Sequence, residues 1–158
     1  MRQFILNVSF KVYALDELDE AGKTLVMVAL KACSGAYAPF SGFSVGAAVL
    51  LANGEIIAGN NQENAAFPSG LCAERVAVFF ANARYPDVPI VAVAVTSSVA
   101  GKPSENCAYP CGACRQVLLQ SELRFGNKMR VLMAGSREIY EADSAADLLP
   151  LSFTDFAS

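Results

Sequence analysis

At 158 residues the chain has room for one compact domain with a full core, and none for two ordinary domains with a linker. Twelve Lys and Arg against fifteen Asp and Glu leave a net charge of −3, so no bulk basic surface exists for a nucleic acid backbone or an anionic membrane. A hydrophobic fraction of 54% beside 17% charged residues is more apolar surface than a monomer of this size leaves wet, and it points to self-association.

Residues 1–15 read as an N-terminal arm whose β-leaning apolar pattern at Phe4, Val8, Phe10 and Val12 offers a further strand. The first residues lack a long apolar stretch and a small-residue cleavage site, so a cytoplasmic protein is expected. From Asp16 the pattern turns helical: Asp16, Glu17, Asp19 and Glu20 suit a helix N-terminus, and Leu18, Leu25, Ala29 and Ala32 follow its spacing up to Gly35. Val45 to Ala52 and Glu55 to Asn61 then read as antiparallel strands about an Asn53-Gly54 hairpin, since Asn-Gly readily takes positive φ. The apolar runs are strand-length, far short of the roughly 18 residues that a spanning helix needs.

A helix is expected from about Cys72 to Arg84, closed by Pro86 and Pro89, then a buried strand from Ile90 to Ser97 and a helix from about Cys111 to Leu123. Lys128 to Ala134 and Glu138 to Glu141 are strands joined by only Gly135-Ser136-Arg137. Three residues cannot make a parallel crossover, so this last pair is antiparallel. A helical turn from Ser144 stops at Pro150. The expected product is an α/β sandwich with a mixed five-stranded sheet covered by helices.

The chemistry must run without histidine, because there is none. Five cysteines make an odd number, which argues against a disulfide framework in favour of metal or redox chemistry. Cys72 opens one expected helix; Cys111 and Cys114, i and i+3 on one face, open the next. If the two helix starts lie side by side, three thiolates converge, and three protein ligands on zinc leave the fourth position for water, as in a catalytic site. Three thiolates and Zn²⁺ sum to −1, which the positive ends of two helix dipoles, with Arg75 and Arg115, can offset. A Cys-x-x-Cys at a helix start equally suits a redox pair, and a structural zinc would need a fourth ligand such as Cys107. Glu74, two residues past Cys72, is placed to take a proton from a metal-bound water and deliver it elsewhere; a dipole partner in a first helical turn is its plainer reading.

Cys72-Ala73-Glu74-Arg75 followed by Pro110-Cys111-Gly112-Ala113-Cys114-Arg115-Gln116-Val117 resembles the signature of the zinc-dependent cytidine deaminases. Phe40-Ser41-x-Phe43-x-Val45-Gly46-Ala47-Ala48 and Asn61-Gln62-Glu63-Asn64-Ala65-Ala66 extend the similarity, which runs from about the first helix to Phe153 and leaves the arm outside. The resemblance implies a single three-layer α/β domain over residues 1–158. It also implies hydrolytic deamination of cytidine or 2′-deoxycytidine by a homotetramer with one zinc per subunit and shared active sites. In that pattern Cys72, Cys111 and Cys114 resemble the zinc ligands. Glu74 resembles the proton shuttle for ring N3 and the leaving ammonia, and Arg75 the arginine that offsets ligand charge.

Asn61 and Glu63, i and i+2, could face one way and grip a ribose; the resemblance places such a pair on the sugar 3′-hydroxyl. It implies that backbone groups of Ala73 meet the pyrimidine edge, that Phe43 packs on the base, and that Phe153, in the segment Asp147-Leu148-Leu149-Pro150-x-x-Phe153, covers the base of a neighbouring subunit. Phe67 stands where many members carry Tyr, so a hydroxyl contact is lost there. Cys33 and Cys107 match no ligand role. The competing readings are a deaminase of another aminopyrimidine nucleoside and a non-enzymatic zinc or redox module.

Overall fold

The computed structural model describes residues 1–154. Its strands are β1 (Lys11–Tyr13), β2 (Phe43–Leu51), β3 (Ile56–Asn60), β4 (Ile90–Val99), β5 (Lys102–Pro103), β6 (Arg130–Ala134) and β7 (Ile139–Ala142). The helices are α1 (Glu20–Ala32), α2 (Ala73–Arg84) and α3 (Gly112–Phe125). One sheet runs β1-β7-β6-β4-β2-β3, with β5 folded back on β4. The β4–β6 pair is parallel, as α3 between them allows, and every other pair is antiparallel, β7 on β6 included.

The sheet has seven strands, not five. Short as they are, β1 adds to the edge beyond β7, and β5 is the return of a hairpin that turns at Ala100 and Gly101, both at positive φ. The arm therefore enters the sheet at residues 11–13, and Lys11 donates to Glu141 on β7 at 3.3 Å. Arg130 bridges Glu141 (2.6 Å) and Asp19 (2.9 Å), tying β6 and β7 to the start of α1. The first helix also begins later than its acidic run suggests. Leu15–Glu17 forms a separate 3-10 turn, Leu18 buries in extended form, and the Asp19 carboxylate caps α1 by accepting from Gly22 N at 2.7 Å. At the Asn53-Gly54 turn only Gly54 takes positive φ, +88°, while Asn53 Oδ1 accepts from Glu55 N at 3.1 Å.

Strand alternation builds the three layers. Ala47, Val49, Leu51, Val93, Val95, Val131 and Met133 face α2 and α3; Ala48, Ala92, Ala94 and Leu132 face Leu25, Val26 and Ala29 of α1. Glycine permits the closest approaches. A Cβ on Gly59 of β3 would lie 2.6 Å from Ala77 N and 2.7 Å from Ala73 O of α2, and one on Gly46 of β2 would collide with Ala29 O of α1. Gly59 thus seats the first turn of α2 directly on the sheet.

Candidate metal centre and adjoining cavity

Cys72 and Cys111 are the N-cap residues of α2 and α3, the extended residues from which each helix turns away. The two helices lie on the same face of the sheet and start at the same end, so their first turns meet. Cys72 Sγ lies 3.7 Å from Cys111 Sγ, and Cys111 Sγ lies 3.5 Å from Cys114 Sγ. All three sulfurs fall within 4.8 Å of one another. Tetrahedral zinc with Zn–S bonds of about 2.3 Å holds its sulfurs about 3.8 Å apart, so the spacing fits the ion.

The electrostatics fit as well. The Cys72 thiol is lowered to about 5, first by the hydrogen bond with Cys114 and then by Arg75, so it is a thiolate at neutral pH. Cys114 moves upward because it gives its proton toward Cys72 and is buried. A cluster that already carries a thiolate favours a soft cation, which replaces the shared protons. Arg75 Nη2 lies 3.9 Å from Cys72 Sγ and donates to Gly70 O at 3.4 Å, and its Nε is buried with no partner among the described residues. That spare donor and positive charge suit a site with a surplus of thiolate. Cys107 stands outside the cluster: its thiol contacts Glu138 O at 3.2 Å, and burial pushes its pKa up. Cys33 is buried between α1 and β4, against Ala29 O and Thr96 O.

Glu74 sits in the first turn of α2, 4% exposed. Burial, and then the nearby Cys72 thiolate, raise its carboxyl to about 7, against the hydrogen bonds from its own backbone N–H and from Cys114 and a smaller pull down from Arg75. It lines a cavity of about 750 Å³ together with Cys72, Cys111, Phe43, Asn61 and Glu63. Thus the candidate ligands Cys72 and Cys111, the candidate acid–base group and the sugar-binding candidates share one space. Ala73, wholly buried, begins α2, where first-turn N–H groups lack intrahelical acceptors.

Asn61 and Glu63 are less free than their spacing suggests. The Asn61 amide is clipped across β2, Oδ1 accepting from Val45 N at 2.8 Å and Nδ2 donating to Phe43 O at 2.9 Å. Glu63 Oε2 accepts from Phe40 N at 2.8 Å and Ser41 N at 3.3 Å, and hydrogen bonds from Ser41 and Phe40 hold its carboxyl below the usual range. Each keeps spare capacity, an N–H and a lone pair on Asn61 and Oε1 on Glu63. The local backbone thereby fixes their direction. Phe67 packs edge-on against Phe40 at 5.7 Å, so the position that lacks a hydroxyl is filled by an aromatic contact. Phe153 is 62% exposed, lies outside its own chain's cavity lining, and its carbonyl accepts from Gln116 Nε2 at 2.7 Å. Spacing gave no sign of Tyr109, which also lines the cavity.

A family model described as "Cytidine and deoxycytidylate deaminase zinc-binding region" matches residues 19–126. The chain is 45% identical over 74 residues to a cytidine deaminase of Halalkalibacterium halodurans, covering 46% of this chain and 56% of that protein. It is 48% identical over 46 residues to one from Mycobacterium tuberculosis, covering 29% and 35%. The aligned stretch therefore spans about half, or less, of the length of these curated relatives. The solved cytidine deaminase from Burkholderia pseudomallei superposes with a TM-score of 0.72 at 34% identity, over 86% of this chain and 100% of that one. The one from Mycobacterium tuberculosis gives 0.68 at 32%, over 86% and 99%.

Proposed function

Because the chain belongs to the cytidine and deoxycytidylate deaminase zinc-binding family, we propose that it hydrolyses cytidine, 2′-deoxycytidine or both to the uracil nucleoside and ammonia. The observation that carries this reading is the convergence of Cys72, Cys111 and Cys114 beside a buried carboxyl, Glu74, at the wall of one cavity. Zinc would be held by the three sulfurs, and when bound it supplies Lewis-acid activation of water near neutral pH.

The chain's own residues do the rest. Glu74, shielded from bulk water and titrating near neutrality, can accept a proton, pass it to ring N3 and then serve the departing ammonia. Arg75 offsets the sulfur charge from behind Cys72. Backbone groups at Ala73 meet the pyrimidine edge, and Phe43 packs on the base. Asn61 and Glu63, oriented by the β2 backbone and the Phe40–Ser41 turn, offer their spare polar atoms to the sugar hydroxyls. Among the described residues Arg75 is the one cationic side chain in the lining, and it lies at the sulfur end, so this chain offers no cation at the sugar end to favour a phosphate. That supports a free nucleoside in pyrimidine salvage over a nucleotide or a base within RNA.

We further place the protein in the cytoplasm, where its thiols stay reduced, as a homotetramer with shared sites. Phe79 and Phe80 on the outer face of α2 are 47% and 57% exposed, and Phe153, 62% exposed, lies outside the lining of its own chain's cavity, in keeping with a residue lent to a neighbour. A chain that sediments as a monomer at working concentration contradicts the assembly. No helix among the described residues is long and apolar enough to cross a membrane.

The function is tested by incubating the zinc-loaded protein with cytidine, 2′-deoxycytidine and cytosine while following loss of the amine-bearing chromophore. Turnover of one or both nucleosides is expected, with cytosine lower in kcat/KM by about 10²-fold or more, because its binding leaves the spare polar atoms of Asn61 and Glu63 without a sugar partner. Comparable rates for cytosine and cytidine would contradict the roles of Asn61 and Glu63; inertness toward all three would contradict the reading as a whole.

A further inference from the structure

Two cavities meet at one side chain. The large cavity beside the thiol cluster and a second of about 400 Å³, lined in part by Val8 and Phe10 of the arm, have among the described residues a single lining residue in common, Tyr109. Its ring stands edge-on to Tyr140, with centroids 6.2 Å apart and planes at 70°. The backbone beneath it is pinned on both sides. Ala108 N donates to Ala134 O at 3.4 Å and the Cys107 thiol contacts Glu138 O at 3.2 Å; after it, Pro110 O accepts from Arg115 Nε at 2.8 Å while Arg115 Nη1 donates to Leu148 O at 3.0 Å. The backbone on either side of Tyr109 is thus held, and the ring itself, 56% exposed, stands between the two cavities with Tyr140 at its edge.

We propose that Tyr109 is a specificity-determining residue whose ring limits the space beside carbon C5 of the pyrimidine, so that the site takes cytosine nucleosides with hydrogen or a very small group at C5. The inference rests on the deaminase reading. In that reading Glu74 serves N3, so α2 occupies the N3 flank of the reacting C4. The opposite flank, where C5 lies, then falls to α3 and the segment leading into Cys111. On that segment Cys107, Ala108 and Tyr109 line the cavity, and only Tyr109 is large.

The test compares cytidine with 5-iodocytidine as substrates, and uridine with 5-iodouridine as ligands by calorimetry, in the wild type, Tyr109→Phe and Tyr109→Ser. Iodine's electronic effect on the reaction is common to all three proteins, so it cancels when their selectivity ratios are compared. The wild type is expected to favour the unsubstituted member by about tenfold or more, in both kcat/KM and affinity. Tyr109→Ser should narrow both ratios by about tenfold, and Tyr109→Phe, which keeps the ring, should retain them. A wild type that turns over cytidine and 5-iodocytidine alike, unchanged ratios in Tyr109→Ser, or equal shifts in both variants would overturn the inference and leave the deaminase reading standing. A wild type inert toward cytidine overturns both.

Discussion

Burial and the neighbouring Cys72 thiolate act on Glu74 in the same direction, and hydrogen bonds from its own backbone N–H and Cys114, with Arg75, oppose them only in part, so the carboxyl is poised where it can both take and give a proton at neutral pH. Glutamine is nearly isosteric and cannot carry that proton. Glu74→Gln is therefore expected to fold and keep its zinc while kcat falls by about 10²–10⁴-fold, read from steady-state rates beside metal analysis. A variant that keeps a near wild-type rate would show that the proton travels by another group. At this scale the sequence was legible where motifs are dense: Cys72, Glu74, Cys111 and Cys114 are near one another in space as they are in pattern. It was less legible at Asn61 and Glu63, because a period-two argument gives the side of a strand and not the backbone groups that claim half of each side chain's bonding capacity. Tyr109 carries no local signal at all; its ring meets Tyr140 of β7, a neighbour that only the fold supplies.

The elements that carry the thiols depend on how closely α2 approaches β3, and Gly59 sets that distance. An added methyl at Gly59 meets helix backbone, not a movable side-chain tip, so α2 must shift. Overpacking of this kind costs about 1–3 kcal/mol. Gly59→Ala is expected to lower the melting temperature and also to weaken zinc retention against a chelator, because the first turn of α2 carries Cys72. Gly46→Ala presses on α1 at the other face of the sheet, and is expected to destabilise the fold without changing zinc retention. Equal effects of the two on zinc would mean that α2 seating does not govern the metal centre. Helix and strand existence was readable from periodicity and punctuation, as with α2 between Cys72 and Pro86. The β-leaning arm offered a strand, and β1 supplies it, with bounds that its partner β7 sets; β5 was not readable, since a two-residue strand has too few positions to show a period and is created by its partner.

For the whole molecule, a mixed sheet brings the starts of two helices to one end of one face, and that arrangement converts cysteines 39 residues apart into a cluster with 3.7 Å between sulfurs. Spacing alone could not establish this. Cys111 and Cys114 share a helical face by arithmetic, but Cys72 joins them only through topology, and it was the ordered set of motifs that tied the two stretches together. The same topology leaves apolar surface on α2 and the arm uncovered in a single chain, in keeping with the excess of hydrophobic residues in the composition.

The central claim is that one zinc per chain, held by Cys72, Cys111 and Cys114, is required for turnover. It is tested most directly by stripping the protein of metal and titrating zinc back while recording cytidine deamination and bound zinc together. Activity should be absent at the start, rise in proportion to bound metal and level off at one equivalent per chain, with Cys111→Ala and Cys114→Ala failing to retain the ion. Full turnover in the metal-free protein, or undiminished zinc in either variant, would contradict the account.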